Sequence, residues 1–164
     1  MISEMEDLDE VTRLYKKTLE DRLINKFKIE FNEKVGYIPQ VITLYDDKSN
    51  LPRIELYELI GVINDIMERE FGDRRINRKL MRITSFLRNR DVTDYRYIYF
   101  KIGRLMGYSF KEIGLQLPTD ETKGYDHSTV MHGVKEFDGQ LGTNQKFALR
   151  YQHVVDNIRT KYVK

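Results

Sequence analysis

A chain of 164 residues with 40% hydrophobic and 33% charged residues has the balance of a globular domain with a heavily charged surface, long enough for one ordinary domain or a small domain plus an appendage. The absence of Cys excludes a disulfide framework and a thiolate metal site, and no apolar run approaches the roughly 18 residues that a membrane helix needs. The net charge of +2 hides an uneven distribution: residues 1–70 hold 10 Lys and Arg against 16 Asp and Glu, residues 71–104 hold 10 against 3, and residues 105–164 hold 8 against 7. A basic block in a near-neutral chain is the footprint expected of a phosphate-binding surface, although a solvated face has the same composition. The acidic stretch 1–10 is the opposite of a secretory leader. A cytoplasmic protein with no membrane partner is therefore expected.

In chain order, Leu8, Val11, Tyr15, Leu19, Leu23, Phe27 and Phe31 recur at spacings of three and four, which predicts one long amphipathic helix. Its apolar stripe either packs back on the rest of the chain or pairs with a second copy in a homodimer. Residues 36–54 break the period with turn chemistry around the short apolar stretch Val41-Ile42-Thr43-Leu44. This segment reads as a linker with a possible short strand, and Pro52 suits the first turn of the next helix. The helical period returns from Ile54 to Phe71, and Gly72 is placed to cap it. Asn77 to Leu87 reads as a short helix with Leu80, Ile83 and Leu87 on one side, followed by a basic loop Arg88-Asn89-Arg90. Asp91 or Thr93 is expected to cap a helix that buries Ile98, Ile102 and Leu105 and ends at Gly107. The reading is an all-α protein, with residues 1–50 as a helical appendage and linker and residues 51–164 as a helical domain.

The region Val92 to Leu141 is the most informative. A helix, a tight turn at Met106-Gly107-Tyr108, a short helix Ser109-Phe-Lys-Glu-Ile-Gly114, a loop, and a helix opening at Asp126 follow one another in the order of a helix-turn-helix. Asp126 is a strong N-cap candidate because its carboxylate can accept the free N–H groups of the first turn. Val130, Val134, Phe137 and Leu141 share one face, and Gly133 beside them permits close helix approach. Ser128, His132 and Lys135 project from the opposite face. Small polar and basic groups at a helix start suit base edges and phosphates in a major groove, where a Thr methyl also meets a thymine methyl.

These segments resemble the signature of domain IV of the bacterial replication initiator DnaA. The likeness rests on Ser109-Phe-Lys-Glu-Ile-Gly114 and Asp126-His127-Ser128-Thr129-Val130-Met131-His132-Gly133, and the matched pattern extends from about Glu55 to Lys164. The resemblance implies sequence-specific binding of double-stranded DNA, in replication initiation or its regulation, with Asp126, His127, Ser128 and Thr129 at the major groove. It implies a minor-groove Arg at Arg88 or Arg90, and a phosphate contact at Arg96. The family's basic residue before the Asp is Tyr125 here, with Lys123 close by. The loop from Leu115 to Tyr125 is longer than the family's. The family's ATPase module has no counterpart, because no G-x-x-x-x-G-K-[ST] loop occurs and 54 residues precede the match. The chain thus resembles a stand-alone relative of the DNA-binding domain, as found in phages and mobile elements, where a transcriptional regulator is the alternative role.

Rival readings are weaker on the residues. His127 and His132 are not spaced to share a helix face, so no metal site is expected. Glu68/Glu70 and Glu121/Asp126 are not gathered by any apolar pattern, so neither catalysis nor a cofactor is expected. Arg74, Arg75, Arg78, Lys79 and Arg82 are either a phosphate-contacting flank or a solvated face. A module that binds a replication protein is the remaining alternative, favoured by the acidic first 70 residues.

Overall fold

The computed structural model describes residues 19, 21–38, 51–117 and 124–163. The chain divides into two compact units, Met1–Thr43 and Leu44–Lys164. In the first, α1 covers residues 21–35. Its Phe27 and Phe31 rings lie 5.6 Å apart, while Leu23 and Phe27 are 59% and 48% exposed. The N-terminal half of the long helix expected from Leu8, and the apolar stretch Val41–Leu44, lie outside the described residues.

Among its described residues the second unit is all-α apart from one small hairpin. It consists of α2 (Leu56–Phe71), β1 (Arg75–Ile76), β2 (Lys79–Leu80), α3 (Arg90–Leu105), α4 (Phe110–Gln116), α5 (His127–Leu141) and α6 (Gln145–Tyr162). α3 is the hub: α2, α4, α5 and α6 all pack on it. It is therefore buried almost all round, through Val92, Tyr95, Ile98, Tyr99, Phe100 and Ile102, rather than along one stripe. α2 contributes Leu59, Ile63, Ile66 and Met67 to the same core, and α6 contributes Phe147, Val154 and Ile158.

Local chemistry sets the helix ends. Glu55 and Glu58 form a capping box at the start of α2, so Pro52 lies ahead of the helix and not in its first turn. Gly72, at φ 55°, caps the end of α2 as expected. The cap of α3 is Asn89, whose Oδ1 accepts from Asp91 N at 2.9 Å and from Val92 N. Asp91 and Thr93 are inside the helix, and Arg90 is its first residue rather than part of the expected basic loop. Asn wins because its side-chain oxygen reaches the first free N–H groups while its own backbone stays extended. Gly107, at φ 90°, turns the chain out of α3, and Ser109 and Glu112 cap α4 reciprocally at 3.2 and 2.7 Å.

The expected short helix Asn77–Leu87 does not form. Its first part is the antiparallel hairpin β1–β2, with Arg75 opposite Leu80 and Ile76 opposite Lys79. The turn residues Asn77 and Arg78 have φ of 51° and 65°. Positive φ at both central residues matches the twist of a two-residue hairpin, and Asn is among the residues that tolerate it best. The remainder, residues 81–87, runs without helical hydrogen bonding and buries Met81, Ile83 and Leu87.

A candidate nucleic-acid interface at the start of α5

Asp126 caps α5 as its sequence predicts. Ser128 N donates to Asp126 Oδ1 at 2.8 Å, and that backbone bond holds the carboxyl below the ordinary aspartate range. His127 Nδ1 lies 3.0 Å from the same oxygen. His127, Ser128 and Thr129 are all exposed, so the first turn of α5 presents an imidazole and two hydroxyls to solvent. Val130 and Phe137 turn inward to the core, with Val134 and Leu141 half-buried beside them.

Two glycines seat this helix. A Cβ on Gly133 would lie 2.5 Å from the Phe100 ring and 2.9 Å from the Tyr97 ring, so the α5 backbone rests directly on aromatic side chains of α3. A Cβ on Gly114 would lie 2.1 Å from the Tyr125 carbonyl oxygen, and Tyr125 N donates to Gly114 O at 2.9 Å. α4 and the residues leading into α5 are thereby joined backbone to backbone. Gly124, at φ 70°, makes the same close approach from the other side.

The start of α5 borders a shallow groove lined by Phe86, Arg88, Tyr97, Tyr125, Thr129 and His132. Four residues expected at the site, Arg88 and Arg96 from one part of the sequence and Thr129 and His132 from another, therefore line one surface feature. His132 and Lys135 are exposed on the outer side of α5, with Glu136 Oε1 3.9 Å from His132 Nε2. Arg90 is exposed in the first turn of α3. Lys123 lies outside the described residues.

Arg96 is placed differently from the phosphate contact expected of it. It is 7% exposed. Its guanidinium donates to three backbone carbonyls of the preceding loop: Ile83 at 3.1 Å, Leu87 at 2.7 Å, and Ser85. The Tyr125 ring lies over it at 5.7 Å. Its Nε and both Nη atoms are thus bound within the molecule, so Arg96 holds residues 83–87 in place while it lines the groove. The apolar groove itself was missed in the sequence, because Phe86, Tyr97 and Tyr125 share no periodic stripe and meet only through this loop.

Among the described residues no group of His, Asp or Glu comes together in a way that would hold a metal ion, and no helix is long and apolar enough to cross a membrane. Comparison with protein-family models, with curated proteins and with solved structures gives no match.

Proposed function

We propose that this protein binds double-stranded DNA sequence-specifically, with α4 and α5 acting as a helix-turn-helix and the first turn of α5 entering the major groove. The observation that carries the reading is the exposed, Asp126-capped start of α5, polar on its outer face and bordered by Arg88 and His132 on one groove. A helix presented in this way leaves Ser128 and Thr129 free to meet base edges, while Asp126 and His127 fix the helix start. Arg88 supplies a cation on the same groove and Arg90 a further exposed one at the start of α3, and phosphate contacts would dominate the affinity. The likeness of residues 109–114 and 126–133 to DnaA domain IV supports the same reading. It favours a role in replication initiation or its regulation, in the cytoplasm and without catalysis; transcriptional control in a phage or mobile element uses the same surface.

The reading is tested by selecting bound duplexes from a random pool with the parent protein, His127→Ala and Thr129→Ala. Enrichment of a defined sequence by the parent is expected, and both variants should lose it with their helical circular dichroism unchanged. Failure of the parent to bind any duplex at low salt would instead favour a protein-interaction module.

A further inference from the structure

The structure turns the most basic stretch of the chain into a projecting element. Arg74, Arg75, Arg78, Lys79 and Arg82 fall on or beside the β1–β2 hairpin, and all five are exposed. Arg82 lies 3.8 Å from Glu68, an exposed pair of little strength. Arg78 sits at the tip, in the second turn position, at φ 65°. That left-handed conformation suits Gly far better than Arg, and Gly is the common choice in such a turn. A cation is therefore kept at the tip against the backbone preference, and an outlier of this kind points toward function more than toward stability.

The hairpin is also continuous with the groove. Lys79 Nζ lies over the Phe86 ring at 5.6 Å, and Phe86 lines the groove together with Arg88 and Thr129. The loop joining them is held by the three hydrogen bonds from Arg96. Basic groups thus run from the hairpin tip through Lys79 and Arg88 to the start of α5 on one supported surface.

We propose that the β1–β2 hairpin is a second DNA-contacting element, which grips the phosphodiester backbone flanking the sequence read by α5. The proposal rests on the DNA-binding reading above. Its ligand is the sugar–phosphate chain rather than base edges, because the hairpin offers five long exposed cations and Asn77 is the one exposed carboxamide among residues 74–82. Contacts of this kind add affinity uniformly, whatever the sequence.

The test measures binding of the parent, Arg78→Gly, and the double variant Arg75→Ala/Arg78→Gly to a selected duplex and to a scrambled one, across a salt series. Arg78→Gly relieves the turn, so its thermal midpoint should be unchanged or higher, and weaker binding is then not a folding defect. Each removed contact should weaken both duplexes by about five-fold near 0.15 M salt and make the slope of log K against log[salt] shallower by about 1. Unchanged affinity and slope in the double variant would overturn the hairpin proposal alone. Loss confined to the selected duplex would overturn it as well. A parent that binds no duplex would overturn the DNA-binding reading and this assignment together.

Discussion

At the scale of single residues, Gly114 and Gly133 decide where α5 can lie. A methyl group at Gly114 would meet the Tyr125 carbonyl, part of a backbone already bonded to Gly114. One at Gly133 would meet the rings of Phe100 and Tyr97, of which Phe100 is fully packed in the core. Gly61, by contrast, faces open space within α2. Gly133→Ala should therefore lower stability by about 1–3 kcal/mol through overpacking, with Gly114→Ala losing at least as much because a main-chain atom yields less readily than a side chain. Gly61→Ala should raise stability by about 0.5–1 kcal/mol through the helical preference of Ala. Urea unfolding followed by circular dichroism checks all three, and equal effects at 61 and 114 would disprove the close approach. Arg96 belongs at this scale too. Its charge faces carbonyls instead of solvent, and burial pushes its pKa down without a neighbouring carboxylate to oppose it.

At the scale of elements, Arg150 ties three helices together. From α6 it reaches Glu70 in α2 at 2.6 Å and, in α3, Asp91 at 2.7 Å and Asp94 at 3.3 Å. Its side chain and that of Asp94 are 5% and 6% exposed. Burial raises the pKa of Asp94, and Arg150 only partly opposes it. For Asp91 burial also pushes upward, but hydrogen bonds from Arg150 and Lys146 outweigh it and the net shift is downward. Arg150→Ala strands a buried carboxylate and should cost about 3–5 kcal/mol at neutral pH. The sign with pH follows from linkage. Asp91, depressed in the fold, contributes stability above its ordinary value of 3.8 and loses it as pH falls through the folded value. Asp94, raised in the fold, is favoured when protonated, so its ionised form lowers stability above 3.8 and that loss is relieved on acidification. The deficit of Arg150→Ala should accordingly shrink as pH falls through the Asp94 value and then the Asp91 value. Denaturation series at pH 7 and near pH 4 read this directly, and a deficit that grows in acid would contradict the assignment. Arg150→Ala/Asp94→Asn should recover part of the loss at pH 7.

At the scale of the whole molecule, the two units pose different physical problems. The second has a continuous core around α3. The first carries large apolar side chains at the surface, Leu23 and Phe27 among them, and exposed apolar stripes on a helix commonly mark association. We expect self-association through α1, and the double substitution Leu23→Asp/Phe27→Asp should convert the species seen by sedimentation velocity to a monomer without changing the thermal midpoint of the second unit. A parent that sediments as a monomer at tens of micromolar would remove α1 as an association surface.

What the sequence determined by itself was local: the periods of α1, α2 and α5, the caps at Gly72 and Asp126, and the close approach at Gly133 are all written within about one helical turn of the residues concerned. The all-α class and the placement of Ser128, His132 and Lys135 on the outer face of α5 followed from those alone. The tertiary structure decided the rest. Leu80, Ile83 and Leu87 mimic a helical spacing, but Asn77 and Arg78 accept positive φ and the chain turns into a hairpin. Arg96 looks in the sequence like one more surface cation of a basic block, yet its partners are carbonyls nine to thirteen residues earlier. Whether a guanidinium faces phosphate or its own backbone depends on where a distant loop packs, and no spacing rule along the chain records that.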